Sequence, residues 1–184
     1  HLTNAARQSL IFAANKWTLP NFAHIPLIHG PDGLKLSKRH GALGIEHYRK
    51  EGYPNDALVN YLLGLGWSMP EKEIFSMNEA AKEFKLNKLS KSPSRFDNDK
   101  LSHISGMYIK NANANKVRTW FGALSTSKKE TSNYQKIFDC IANNIDIFKK
   151  RARTINEIIS ASFFVHCEEK EFQKKLRDQK MPNF

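Results

Sequence analysis

Two short loops in the sequence carry lysine and serine in the same order. Residues 35–39 read KLSKR and residues 88–92 read KLSKS. Lysine ammonium groups and serine hydroxyls donate hydrogen bonds to phosphate oxygens, and lysine also neutralises the charge that develops when a phosphate group reacts. Both loops are therefore candidates for binding a nucleotide or RNA phosphate. A solvated basic run is the alternative for each, so the flanking residues must decide between them.

The first loop follows a predicted strand and turn. Residues 22–28 form a short apolar segment that predicts a buried strand, and Pro31-Asp32-Gly33 is typical of a turn. The apolar spacing of residues 2–17 predicts a helix before that strand. A helix followed by a buried strand is half of a βαβ unit, which predicts the end of a doubly wound α/β domain. Ligands bind at the carboxyl ends of such strands.

The second loop lacks that setting. It precedes Pro93 and a helix predicted to start at Asp97, and residues 86–97 are predicted to form an exposed connection. We therefore interpret the similarity of the second loop to the first as a coincidence of basic residues.

The remaining residues predict helices. One helix is predicted to start at Pro54-Asn55-Asp56 and to stop at Gly64 and Gly66. Another is predicted to start at the capping-box pattern of Ser76 and Glu79. The predicted core positions of the first of these helices are Ala57, Leu58, Tyr61, Leu62 and Leu65. After the polar residues 111–115, the predicted helices are 117–124, 134–148, 154–165 and 168–179, with 125–133 as a polar loop.

Composition and charge narrow the class of protein. The chain has 184 residues, with 29 Lys and Arg against 18 Asp and Glu, which gives a formal charge of +11 and a pI near 9.7. This excess, which lies mainly in residues 1–40 and 113–184, favours a polyanion such as RNA as partner. No apolar run approaches the roughly 20 residues that span a bilayer, so we expect no membrane partner and a cytoplasmic protein.

The cysteines and the largest aromatic residues are predicted to be structural. The two cysteines, Cys140 and Cys167, are too far apart for a zinc motif, and we interpret both as core or near-core thiols. The aromatic residues could stack on unpaired bases, but their helical phase favours the core. These residues are Trp17, Trp67, Trp120, Phe163 and Phe164.

Six stretches of the sequence resemble bacterial glutamyl-tRNA synthetases, which are class I aminoacyl-tRNA synthetases, and most of all their alphaproteobacterial form. In chain order they are HLTNAARQ, FAHIPLIHGPDGLKLSKRHGA, YRKEGYPNDALVNYLLGLGWS, EIFS, KSPSRFDNDKL and RARTINE. The resemblance implies a mixed fold, in which the C-terminal end of an α/β Rossmann domain precedes mainly α-helical modules. Residues 1–42 would be that end of the catalytic domain, 43–112 a stem-contact domain, and 113–184 the first helical part of an anticodon-binding region. The family's HIGH motif is absent, so we expect a fragment of a longer enzyme that is inactive alone.

The resemblance also implies an ATP site. The KLSKR loop matches the family's KMSKS loop, which makes Lys38 the strongest ligand for the ATP phosphates, with Lys35, Ser37 and Arg39 supporting it. Ile28 matches a position whose backbone holds the adenine. His1 is a further candidate at the adenine pocket.

A tRNA surface is the other implication. Lys91 and Arg95 are candidates for phosphate contacts, with plain surface charge as the alternative. The basic cluster of residues 149–153 falls where the family has an anticodon-reading arginine, and Arg151 is the best match. The other predicted tRNA contacts in this cluster are Lys149, Lys150 and Arg153.

The implied reaction has two steps and needs no covalent enzyme nucleophile. Glutamate attacks the ATP α-phosphate to give glutamyl-adenylate and pyrophosphate, with Mg²⁺ as the counter-ion of the nucleotide, and the terminal ribose of tRNA-Glu then accepts the glutamyl group. We expect a monomer, and the sequence leaves open whether tRNA-Gln is also charged. The alternative is a basic helical RNA-binding module without catalysis, which would not explain the order of strand, turn and KLSKR.

Overall fold

The computed structural model describes residues 1–37, 44–69, 71–124 and 128–166. The helices in the first half are α1 (Leu2–Ala14), α2 (Ile45–Lys50), α3 (Asn55–Gly64), α4 (Met77–Glu83) and α5 (Asn98–Asn111). Those in the second half are α6 (Ala114–Ala123), α7 (Lys128–Ile141), α8 (Ile145–Lys149), α9 (Ile155–Ala161) and α10 (Phe163–His166). Short 3₁₀ turns occur at Leu86–Lys88 and Ala142–Asn144. Two strands, β1 (Ile28–His29) and β2 (Ser94–Arg95), pair in parallel. The predicted fold class, mixed α/β with helical modules, is confirmed.

The predicted strand is shorter than expected. Only Ile28 and His29 are paired, and the residues before them have no regular structure. Ile25 and Leu27 are 67% and 53% exposed. A strand requires a neighbouring strand for its backbone hydrogen bonds, and among the described residues β2 offers such a neighbour only to Ile28 and His29.

The prediction that residues 86–97 form an exposed connection is wrong in part. Ser94 pairs with Ile28 and Arg95 with His29, and the Phe96 backbone N–H donates to the His29 carbonyl over 2.8 Å. The Phe96 side chain is buried in the core. The connection therefore supplies the second strand of the sheet.

Three apolar clusters form the core of the described residues, and α1 contributes no buried residue to them. One joins α3, α5 and the two strands, and includes Leu58, Tyr61 and Phe96. A second is built from α5 to α9 and includes Trp120, and a third contains Trp67. Burial of Trp67 and Trp120, each 3% exposed, confirms their prediction as core residues.

Four predicted core residues are instead exposed. Trp17 is 59% exposed because it follows the end of α1. Its ring contacts that of Phe12 in an edge-to-face arrangement. Phe164 is 62% exposed at the end of the described chain, and Leu62 is 43% exposed on α3 although Leu58, one turn before it, is buried. Cys140 is exposed on α7, next to the buried Ile141. Cys167 lies outside the described residues.

The helices of the second half differ from the prediction in their bounds, and the predicted helix 154–165 is divided at Ser162 into α9 and α10. Helix α7 begins at Lys128, inside the segment predicted as a polar loop. The predicted helix 134–148 is divided by the 3₁₀ turn Ala142–Asn144, because consecutive asparagines favour local turns over a continuous helix. The predicted helix 168–179 lies outside the described residues.

Polar contacts fix the second half of the chain against the first. The Asp56 carboxylate accepts hydrogen bonds from Trp120 Nε1 over 3.1 Å and from Lys116 Nζ over 2.9 Å. The Ile155 backbone N–H donates to the Gly52 carbonyl over 2.8 Å. Helices α6 and α9 are thus anchored to the segment that contains α2 and α3.

The predicted capping box at the start of α4 is present. Ser76 Oγ accepts from the Glu79 backbone N–H, and the Glu79 carboxylate accepts from the Ser76 backbone N–H over 2.8 Å. A hydrogen bond from Lys72, together with those from Ser76, lowers the pKa of Glu79 to about 2. The carboxylate that closes this box is therefore charged at neutral pH.

Candidate functional site

A tight hairpin leads from β1 into the first basic loop. The Gly30 backbone N–H donates to the Leu34 carbonyl over 2.8 Å, and the Leu34 N–H donates to Asp32 Oδ1 over 2.9 Å. Gly33 has a φ of +79°, a left-handed conformation that glycine adopts without strain. The turn predicted at Pro31-Asp32-Gly33 is therefore present, and it returns the chain antiparallel to β1.

The hairpin brings two of the predicted ATP-site residues together. Lys35 forms an antiparallel bridge with His29, and the Leu36 N–H donates to the Ile28 carbonyl over 2.9 Å. Lys35 is exposed, whereas the Ile28 side chain is half-buried against the core. Ser37 is half-buried directly after the hairpin. Lys38 and Arg39 lie outside the described residues.

His1 lies apart from the hairpin in the sequence and occupies the N-cap position of α1 without a capping hydrogen bond from its side chain. Its side chain is exposed, and its Nδ1 is 3.0 Å from the Asn4 side-chain nitrogen. A role of His1 at an adenine pocket stays a prediction.

The second basic loop has a different geometry. The Ser90 N–H donates to the Gly66 carbonyl over 2.8 Å, and Ser90 Oγ donates to the Ser92 carbonyl over 3.0 Å. These bonds fold the loop onto the end of α3, and Lys91 is exposed at its tip. No glycine hairpin of the kind seen at Gly30 to Leu34 precedes this loop in the described chain.

The basic cluster of residues 149–153 connects α8 to α9, and its members face different surroundings. Lys150 and Arg151 are exposed. Lys149 is only 13% exposed, and its Nζ donates to the Ala112 carbonyl over 2.5 Å and pairs with Asp146 over 2.7 Å. The bond to Ala112 joins α8 to the end of α5, and a tRNA contact by Lys149 would compete with both contacts.

Arg153 is exposed, but its backbone is held at both ends. Its N–H donates to Glu157 Oε2 over 2.8 Å, and its carbonyl accepts from Ser105 Oγ on α5. Thr154 caps α9 by accepting from the Glu157 N–H. The cluster therefore has a fixed backbone and presents Lys150, Arg151 and Arg153 on the surface.

The structure brings His29, which the sequence analysis does not single out, next to two of the predicted site residues. His29 lies between Lys35 and Arg95, paired with one on each side. The sequence offers only a local signal, a histidine after an apolar segment, because the neighbour in β2 follows 66 positions later in the chain.

Residues 1–103 match the family model of the class I tRNA synthetases (E and Q), catalytic domain, and the chain belongs to this family. Curated relatives carry a more specific name. A protein named glutamate-tRNA ligase 2 from Parvibaculum lavamentivorans is 44% identical over 179 residues, which cover 94% of this chain and 36% of the relative. A glutamate-tRNA ligase from Bradyrhizobium sp. strain ORS 278 is 43% identical over 173 residues, which cover 91% of this chain and 36% of that relative.

A solved structure that resembles the chain carries a similar name. A glutamate tRNA ligase from Elizabethkingia meningosepticum, crystallised in complex with its amino acid, has a TM-score of 0.64 and 30% sequence identity. The match covers 95% of this chain and 38% of that one. The chain thus spans a little over a third of the length of the relatives it matches.

Two kinds of feature are absent from residues 1–37, 44–69, 71–124 and 128–166. Within those ranges, no helix is long and apolar enough to cross a membrane. No group of three or more His, Cys, Asp or Glu side chains in the same ranges is arranged to hold a metal ion.

Proposed function

We propose that the chain is part of a glutamate-tRNA ligase, to which it contributes one side of the ATP site and part of the tRNA surface. The observation that carries the proposal is the glycine hairpin that leads directly from β1 into the KLSKR loop, in a chain whose relatives are named glutamate-tRNA ligases. We expect the enzyme to act as a cytoplasmic monomer.

The residues around the hairpin are suited to binding a nucleoside triphosphate. Lys35 offers an exposed ammonium group and Ser37 a hydroxyl, and Gly33 keeps the turn free of a side chain. In the proposed site Lys38 binds the ATP phosphates, Lys35, Ser37 and Arg39 assist it, and the Ile28 backbone contacts the adenine. Bound Mg²⁺ would supply further neutralisation of the phosphate charge.

These side chains act through position and charge. Lysine ammonium groups held near the α-phosphate stabilise the negative charge that builds up as the glutamate carboxylate attacks and pyrophosphate leaves. The loop must be aligned with the nucleotide for this to occur, and the fixed hairpin provides that alignment. The terminal ribose hydroxyl of the tRNA then displaces AMP from the glutamyl-adenylate.

The test uses a protein of the relatives' length that contains these 184 residues, called below the full-length ligase. Glutamate-dependent exchange of pyrophosphate into ATP is measured with tRNA-Glu present. Exchange with glutamate but not with glutamine supports the proposal. Specific RNA binding without exchange would favour a non-catalytic RNA-binding module instead.

The chain by itself is expected to bind tRNA weakly, without ATP-pyrophosphate exchange. Its charge of +11 favours the phosphate backbone, and each phosphate contact releases counterions. Between about 50 and 200 mM salt, the affinity measured by fluorescence anisotropy should fall at least tenfold. A salt-independent affinity would contradict electrostatic binding, and exchange activity would mean that the catalytic residues are assigned wrongly.

Arg151 is proposed to read a base of the anticodon loop. A guanidinium can form two parallel hydrogen bonds with a base edge, and a lost contact of this type costs about 1 to 3 kcal/mol of discrimination. Arg151→Ala and Arg151→Gln in the full-length ligase should therefore change the ratio of kcat/KM for tRNA-Glu to that for tRNA-Gln.

Lys150→Ala is the matched control for Arg151, because Lys150 is the adjacent exposed cation. A phosphate contact carries no sequence information, so this variant should weaken both tRNAs equally. Equal losses for both tRNAs with Arg151→Ala would make Arg151 a phosphate-binding or structural residue.

A further inference from the structure

Three basic side chains lie next to one another across neighbouring segments of the sheet. His29 in β1 is paired with Arg95 in β2 on one side and with Lys35 of the hairpin on the other. Directly paired residues on adjacent strands project to the same face, with neighbouring strands about 4.8 Å apart. Lys35, His29 and Arg95 therefore form a row on one face, called here the basic row.

The alternation of the strands shows that this face is turned towards solvent. Ile28, Leu36 and Phe96 each neighbour one member of the row in sequence, and all three pack in the core cluster of α3 and α5. Because successive side chains of a strand point to opposite faces, the row must lie on the other side. Lys35 and Arg95 are exposed and His29 is half-buried, as this arrangement requires.

The guanidinium of Arg95 reaches back over the hairpin. A Cβ placed on Gly33 would be 3.6 Å from Arg95 Nη2, so the tip of the side chain lies against the turn that precedes the KLSKR loop. In the sequence Arg95 follows the KLSKS loop, but in the structure its side chain lies next to the turn before the KLSKR loop. The two segments that the sequence separates thus contribute to one surface.

We propose that the basic row binds a phosphate group, with His29 as a phosphate-binding residue between Lys35 and Arg95. Lysine and arginine supply charged donors, and an imidazole carries an N–H donor in its neutral as well as its protonated form. Charge-assisted hydrogen bonds to phosphate are the strongest these groups form. The inference rests on the proposed function only for the source of the phosphate, which is either the nucleotide or the tRNA backbone.

The test observes His29 directly in the 184-residue chain. The ring signals of His29 are followed by NMR while inorganic pyrophosphate, ATP with Mg²⁺, or a tRNA-Glu transcript is added in separate titrations. A saturable shift with pyrophosphate and ATP identifies the nucleotide as the source. A saturable shift with tRNA alone identifies the RNA backbone.

Variants then test whether the three residues act together. His29→Ala, Lys35→Ala and Arg95→Ala should each weaken binding of the ligand that shifts His29 by about tenfold, measured by isothermal titration calorimetry because His29→Ala lacks the NMR signal. Arg95→Lys should retain part of the affinity, because it keeps the charge but loses the planar fork. His103→Ala and Lys110→Ala are the controls, since both residues are exposed on α5, away from the sheet in sequence.

The proposal is overturned if the His29 signals do not move with any of the three ligands. It is also overturned if the row variants bind like the two controls while their melting temperatures are unchanged. Because binding is measured on the chain without any reaction, a failure here is distinct from a failure of the proposed ligase activity. An inactive full-length ligase would leave this binding result intact.

Discussion

Replacement of Lys38 by alanine in the full-length ligase should slow glutamyl-adenylate formation by about 100-fold or more, with little change in glutamate affinity. The reason is that the ammonium group acts on charge that develops only as pyrophosphate leaves, so its loss raises the barrier without weakening the bound substrates. Lys38 lies outside the described residues, but the hairpin from Gly30 to Lys35 fixes where its loop begins. The measurement is ATP-pyrophosphate exchange at saturating tRNA-Glu.

The second basic loop supplies the control for this experiment. Lys91 occupies the same place in KLSKS that Lys38 occupies in KLSKR. Lys91→Ala should leave the exchange rate at saturating tRNA unchanged and raise only the KM for tRNA. A near-normal rate with Lys38→Ala, or a 100-fold loss with Lys91→Ala, would show that the wrong loop has been assigned to ATP.

Gly52→Ala should lower the stability of the chain by about 3 kcal/mol or more, which corresponds to a fall in melting temperature of about 6 to 12 °C. Gly52 is buried and has a φ of +84°, a conformation that strains any residue with a Cβ. A Cβ at this position would be 2.8 Å from the backbone nitrogen of Asn156 and 3.1 Å from that of Ile155. The start of α9 would have to move away, which breaks the hydrogen bond from Ile155 to the Gly52 carbonyl.

Gly64→Ala is the matched control for stability. Gly64 is the last residue of α3, and a Cβ added there would meet nothing within 4 Å. Alanine is favoured over glycine in helices, so this variant should melt at the same temperature or slightly above it. Thermal unfolding followed by circular dichroism measures both changes, and equal melting temperatures for the two variants would contradict the close approach at Gly52.

The features that depend on neighbouring residues were predictable from the sequence. The capping box at Ser76 and Glu79, the turn at Gly33 and the helix start at Asp97 are all present, because each is set by contacts within a few residues. The order of strand, turn and basic loop was correct for the same reason, although the strand was predicted too long.

The features that depend on distant residues were missed. The pairing of His29 with Arg95 joins segments far apart in the chain, and nothing local in residues 86–97 indicates a strand. The hydrogen bond of Trp120 to Asp56 likewise joins α6 to α3, and neither segment alone indicates it. The exposure of Leu62 and Cys140 depends on which face of each helix packs against other elements. The spacing of apolar residues along a helix does not determine that face.

The proposed function is tested most directly by the charging of purified tRNA-Glu by the full-length ligase, with labelled glutamate and labelled glutamine compared side by side. We expect ATP-dependent formation of glutamyl-tRNA, no glutaminyl-tRNA, and loss of the product when Lys38 is replaced by alanine. Charging with glutamine in preference to glutamate, or no charging by a folded protein that still binds tRNA, would contradict it.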